Sequence, residues 1–138
     1  MTKTGQQVED DIYGIVKTSL LASIINGSVY KFGTRPRDSK SEDAVVKFVT
    51  GYDGQIQSGT VVINIYVPDF DASGSGVLVR DITRCTEIEI AANKWVDFLT
   101  ADKSEYIFRL SQTIYTEEEP EINQHFVSIR LRFRLTTF

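Results

Sequence analysis

The sequence has little cysteine, histidine and proline. Its 138 residues include one cysteine, Cys85, one histidine, His125, and three prolines. One cysteine cannot form an intrachain disulfide, so an oxidising compartment is not required. A zinc site needs more histidine and cysteine than the chain has. No run approaches the ~18 apolar residues of a membrane span, and the first residues lack the apolar core of a signal peptide. We therefore expect folding in a cytoplasm and no membrane partner.

Residues that could support catalysis are also few. Cys85 falls on the apolar side of a predicted helix, where a free cysteine behaves as a small hydrophobic side chain. His125 stands at the start of the last predicted strand. No nucleophile elbow and no HExxH motif occurs in the sequence. We predict that the protein is not an enzyme and carries no cofactor.

Two polar segments resemble ligand-binding loops only in part. Residues 69–74 open like a calcium loop, but the twelfth position is Arg80 instead of a bidentate carboxylate. The Ser73–Gly76 run precedes a predicted helix but lacks the Lys-Ser/Thr end of a phosphate-binding loop. The segments 69–76 and 33–43 are rich in Gly, Ser, Asp or Pro. We interpret both as exposed, mobile surface loops.

Acidic residues outnumber basic ones and are unevenly distributed. The net charge is −4 and the isoelectric point is about 5.0, which argues against a general nucleic-acid-binding protein. Residues 61–120 hold 5 basic and 11 acidic side chains, whereas residues 121–138 hold 3 basic and 1 acidic. This asymmetry favours charge-complementary contacts between subunits or with partners.

Hydrophobic periodicity predicts the order of helices and strands. Apolar residues recur at spacings of 3 and 4 over two segments and at a spacing of 2 over the others. The predicted elements are a helix over 5–25, strands over 28–32, 44–50 and 60–67, a helix over 77–99, a strand over 104–116, a polar turn over 117–120 and a last strand from 127. The sequence thus predicts one α+β domain over 1–138, a mostly antiparallel sheet with two helices packed on one face, in the order α-β-β-β-α-β-β.

The same periodicity predicts the core. The apolar side chains on one side of each helix should pack against the apolar side chains on one face of the sheet. The predicted core residues are Val8, Ile12, Ile15, Val16, Ile63, Ile65, Ile82, Ile88, Trp95, Leu99, Phe108, Leu131 and Phe133.

The last strand predicts an interaction surface. Its apolar residues alternate with Arg130, Arg132 and Arg134, which must therefore lie on the opposite face. Three like charges on one strand need acidic neighbours, and the cluster of Glu117, Glu118 and Glu119 could supply them within the chain or from an adjacent subunit. Phosphate groups of a nucleic acid are the alternative partner. We also count Arg35 and Arg37, in the segment 33–43, as candidate interface residues.

The arrangement resembles a known family. The opening helix is followed by Asn26-Gly27-Ser28-Val29-Tyr30, a loop with Arg35-Pro36-Arg37, a strand over 44–50 and a turn over 51–59. A strand over 60–67, a long helix and two closing strands complete the chain. This order resembles the tail terminator (tail completion) proteins of long-tailed phages and prophages, although the long charged segment 33–43 departs from the pattern.

The resemblance implies a structural role in the virion. Such proteins assemble as rings, usually hexamers, which cap the tail tube and present a surface to the head connector. It implies partners in a second copy of the chain, the tail tube protein and the connector proteins, synthesis in a bacterial host, and no nucleic acid apart from DNA passing through the ring. A generic protein–protein interaction module, another head–tail joining protein, and a small ligand-binding protein or enzyme are the alternatives.

Overall fold

The structure is a computed structural model that describes residues 2–101 and 105–136. Three α-helices and six strands occur in these ranges. They are α1 (Gly5–Lys17), α2 (Leu20–Ile24), β1 (Val29–Lys31), β2 (Ala44–Tyr52), β3 (Ile56–Pro68), α3 (Ile82–Ala101), β4 (Tyr106–Leu110), β5 (Tyr115–Glu119) and β6 (Gln124–Thr136), with a 3-10 turn over Pro120–Ile122 before β6.

The strands form one sheet in the order β1-β2-β3-β6-β4, and β5 also pairs with β6. Only β1 and β2 run parallel; the other pairs are antiparallel. Strand β6 pairs along its whole length with β3 on one side. On its other side, β5 covers its first part and β4 its last part. The α+β fold with a mostly antiparallel sheet is thus confirmed.

The helices pack on one face of this sheet, here called the inner face. The side chains of Ile63 and Ile129 lie opposite each other on β3 and β6 and are fully buried there. The core extends to Val8, Ile12 and Val16 of α1. The predicted core is confirmed except for Ile15, which is partly buried, and Ile82, which is 61% exposed.

The first predicted helix is broken into two. A capping box between Thr4 and Gln7 begins α1 as the pattern requires. The hydroxyls of Thr18 and Ser19 then donate to the carbonyls of Gly14 and Val16. Because these bonds satisfy the carbonyls at the helix end, the chain leaves the helix there and resumes it at Leu20. The prediction of one helix over 5–25 was therefore wrong.

The second predicted helix starts five residues late. The Asp81 carboxylate accepts a hydrogen bond from the backbone N–H of Arg84, which makes Asp81 the N-cap and Ile82 the first helical residue. Residues 77–81 are instead outside the helix, residues 77–80 are exposed, and Val79 pairs with Phe70. A residue in the first turn need not face the core, which explains why Ile82 is exposed.

The predicted strand over 104–116 and the polar turn over 117–120 were also misplaced. Two strands, β4 and β5, are separated by residues 111–114, while Ser104 lies outside the described residues. Glu117, Glu118 and Glu119 belong to β5 and pair with Phe126, His125 and Gln124. The chain reverses only at Pro120–Ile122, where Asn123 adopts a left-handed conformation with φ 55°.

Candidate interaction surface

The arginines of β6 lie on the outer face of the sheet, as predicted. Leu131, Phe133 and Leu135 are at most 2% exposed on the inner face. Arg130, just before Leu131, is half-buried, and Arg132 and Arg134, which lie between these three residues, are exposed. Because successive strand residues point to opposite faces, the burial of the apolar residues holds the arginines outward.

Two further cations share this surface. Arg109 of β4 lies opposite Arg132, and Lys47 of β2 lies opposite Val62, which in turn lies opposite Arg130. Both are exposed. Together they form what we call the outer basic patch: Lys47, Arg109, Arg130, Arg132 and Arg134. Arg109 was not predicted to belong to this surface, although its position between Phe108 and Leu110 in a period-2 segment indicated an outward side chain.

No acidic partner within the described residues neutralises this patch. None of its members forms an ion pair there, and the Lys47 ammonium lies 4.5 Å from the centre of the Phe32 ring. Lys3, Lys31, Arg35 and Arg84, by contrast, each contact a carboxylate. The patch therefore presents its charge to solvent.

The glutamates proposed as partners lie at the other end of β6. Glu117 is opposite Phe126, four residues before Arg130, or ~13 Å along the strand. No ion pair joins Glu117, Glu118 or Glu119 to an arginine in the described ranges. With Glu121 they form what we call the acidic end: Glu117, Glu118, Glu119 and Glu121. Intrachain pairing of the arginine row with these residues is not present.

Tyr115 lies between the two charged groups. It pairs with Ser128 on β6, two residues from Arg130. The hydrogen bond between its hydroxyl and Glu117 raises the pKa of Tyr115, while the positive charge of Arg130 acts in the opposite direction. Tyr115 thus marks the boundary between negative and positive potential on this surface.

Arg35 serves a different purpose from the predicted one. Its Nε lies 2.8 Å from Asp43 Oδ2, its Nη2 donates to Gln124 Oε1 at 2.9 Å, and its guanidinium carbon is 4.1 Å from the centre of the Tyr66 ring. The side chain is only 10% exposed. Arg35 is therefore an intrachain clamp, and its guanidinium is engaged inside the subunit instead of being free for a partner. Arg37 remains exposed.

The segment 33–43 is consequently held against the outer face near Gln124. Asp43 is buried and accepts hydrogen bonds from Ser39, from the backbone N–H of Ser28 and from Arg35. Burial raises the pKa of Asp43, but these three hydrogen bonds outweigh it and bring the pKa below its ordinary value. The prediction that all of 33–43 is exposed was wrong, because its end is buried.

A second ion pair fixes the neighbouring residue. Glu42 is buried, and its two carboxylate oxygens lie 2.6 and 2.8 Å from Nε and Nη2 of Arg84 on α3. This bidentate contact raises the pKa of Arg84 and joins the start of β2 to the start of α3. Glu42 and Asp43, the two acidic residues before β2, thus both form ion pairs within the subunit.

The segment 69–82 presents an exposed apolar surface. Each of its five large apolar residues is at least 43% exposed, and this set, which we call the apolar lip, comprises Phe70, Val77, Leu78, Val79 and Ile82. Leu78, Val79 and Ile82 line a cleft with Asp69 and His125. The exposure predicted for 69–76 is confirmed for residues 70–76, whereas the Asp69 side chain is only 11% exposed.

The carboxylates of the calcium-like loop are engaged by the protein. Asp69 Oδ1 lies 2.6 Å from His125 Nδ1, and Asp71 accepts the backbone N–H groups of Ser75 and Gly76. No group of three or more potential metal-ligating side chains occurs within 2–101 and 105–136. The arrangement is that of a loop stabilised by its own aspartates.

The lone cysteine lies in the core. Cys85 is buried on α3, and burial raises the pKa of its thiol to about 11. The reactive form of cysteine is the thiolate, so this side chain is held in its unreactive state at neutral pH. Its predicted structural role agrees with this placement.

Among the described residues, none of the helices has the length and apolar character needed to cross a bilayer. No family model and no curated protein sequence matches the chain.

Proposed function

We propose that this chain is a structural subunit of the tail terminator kind. It assembles as a homo-oligomeric ring, a hexamer by the resemblance, which caps a phage tail tube and faces the head connector in the virion. The proposal starts from the resemblance of the order of helices and strands to that family.

The outer basic patch is the observation that carries the proposal. Arginine is enriched at the centres of protein interfaces, and an outward row of arginines without acidic neighbours favours an anionic partner, which relieves its repulsion. Arg130, Arg132 and Arg134 stand on a sheet whose opposite face is packed against the core. They are therefore presented on a rigid surface, which suits a subunit that must hold a fixed geometry.

The apolar lip supports a second contact surface. Soluble monomers rarely expose contiguous apolar patches unless these bind a partner. The lip lies on the segment between β3 and α3, and a ring that joins a tube to a connector needs contact surfaces besides those between its subunits. We assign the lip to one of these two partners.

Electron microscopy of the purified protein with isolated tail tubes tests the proposed function. We expect ring-shaped density at one end of the tubes and none along their sides, because a terminator binds a surface that only the finished end exposes. Tubes incubated in buffer alone provide the control. Binding along the tube walls, or unoccupied tube ends at saturating protein, would contradict the proposal.

A further inference from the structure

The outer face of the sheet carries the basic patch at one end and Glu117 and Glu119 at the other, whereas Glu118 pairs with His125 and points to the opposite face. The outer basic patch surrounds the last part of β6, and the acidic end flanks its first part. Arg132 lies six residues from Phe126, the residue opposite Glu117, which is ~20 Å along the strand. This separation is too long for the two charged groups to neutralise each other within one chain.

The rest of the molecule is strongly acidic. The patch holds 5 of the 15 basic residues, so the remaining sequence has 10 basic and 19 acidic residues, a net charge of −9. Outside its own patch, a second copy of this chain therefore carries an excess of negative charge. Charge complementarity makes a second copy a fitting partner, and an acidic protein would meet long-range repulsion from a nucleic acid.

We infer that the outer basic patch of one subunit binds the acidic end of the next subunit, head to tail. Two different surfaces then meet at each contact, and such heterologous contacts generate closed rings when their rotation closes. The inference rests on the proposed function in that it requires the subunits to form a ring. It does not require the ring to bind a tail tube. It identifies the residues that hold neighbouring subunits together.

Charge-reversal variants test the contact. The basic-patch variant is Arg130→Glu with Arg132→Glu, and the acidic-end variant is Glu117→Arg with Glu121→Arg; all but the half-buried Arg130 are exposed. Each variant alone brings like charges together across the contact. We expect each to weaken self-association at least ~100-fold. Mixed in equal amounts, the two variants should assemble again, because each altered surface now faces an oppositely charged one.

Mass measurement by light scattering after size exclusion provides the readout. The parent should form oligomers larger than a dimer in ~0.1 M salt and dissociate in ~1 M salt, as the Debye length falls from ~10 to ~3 Å. Protein concentrations up to ~1 mM make contacts of millimolar Kd detectable. Circular dichroism of each variant confirms that it is folded.

A matched control variant is Lys40→Glu with Lys94→Glu. It changes the net charge by the same amount as the basic-patch variant does, at two exposed positions outside the patch. It should assemble like the parent, since the inferred contact depends on where the charges lie on the surface and not on the net charge of the protein.

Four results in the mass measurements would overturn the inference: a parent that stays monomeric at every concentration, a parent that stops at a dimer, a mixture that fails to reassemble, or an equal loss in the control. A monomeric parent that binds a short DNA duplex would assign the patch to nucleic acid instead. Normal tube capping by the charge-reversal variants would refute this contact alone. Salt-sensitive rings that ignore tubes would refute the proposed function alone.

Discussion

Arg109 of β4 lies directly opposite Arg132 of β6 on the outer face of the sheet. Directly opposed like charges destabilise a sheet, and neither guanidinium has an acidic partner among the described residues. The free subunit thus contains a repulsion that an anionic neighbour would relieve. This pair gives the first prediction.

We expect Arg109→Thr to stabilise the isolated subunit by ~0.2–1 kcal/mol at low salt, because it removes that repulsion. Urea unfolding at low and at ~1 M salt measures the effect, and the gain should disappear at high salt as the charges are screened. The strand propensity of threonine does not depend on salt. A gain of equal size under both conditions would therefore argue against repulsion.

Two aromatic residues of α3 provide a matched test of the core. Trp95 is 5% exposed on the inner side of the helix, whereas Phe98 is 76% exposed. Trp95→Ala should lower the free energy of unfolding by ~3–5 kcal/mol, because it leaves a cavity. Phe98→Ala should change it by no more than ~0.5 kcal/mol. Similar values for both in urea unfolding would contradict the placement of α3.

The clamp between Arg35 and Asp43 should make stability depend on pH. The pKa of Asp43 is lowered in the folded state. Its contribution is therefore complete above the ordinary pKa of an aspartate, ~3.9, and declines as pH falls through the lower folded value. Asp43→Asn should remove this part of the acid dependence. It should also cost about 3–5 kcal/mol at neutral pH by leaving Arg35 unpaired.

Thermal unfolding between acidic and neutral pH measures both effects. The control is Asp38→Asn in the same segment, an exposed carboxylate with no ion pair among the described residues. A neutral-pH loss equal to that of the control would show that the clamp contributes nothing.

Cys85 should react with a thiol reagent only after unfolding. It is 4% exposed and its pKa is raised to about 11, so both access and thiolate population are low near pH 8. Colour development with a disulfide reagent follows the reaction, and urea should accelerate it sharply. Ser73→Cys, in the exposed segment 69–76, provides a control thiol that should react at once. Rapid reaction of Cys85 in the native protein would contradict its burial.

The local sequence pattern was enough to predict which side chains are buried wherever one side of a helix or strand faces the core. The alternation of β6 places Arg130, Arg132 and Arg134 outward, since a shift by one residue would bury charge and expose the core. The helical spacing of Ile88 and Trp95 likewise predicts their burial. The same patterns were less informative at element ends. A side-chain hydrogen bond of Ser19 ends α1, and one of Asp81 begins α3. In both places the apolar pattern alone would have continued the helix across these residues.

The sequence by itself determined the fold class, the one-sided core and the outward row of arginines, because these follow from periodicities of 2 and 3.6 residues within single elements. Only the tertiary structure decided which charges have partners. It placed Arg35 against Asp43 and Tyr66, put Glu117 beyond the reach of Arg130, and brought Arg109 beside Arg132. Charge pairing depends on strand register and on contacts between residues far apart in the chain, and no local pattern encodes these distances.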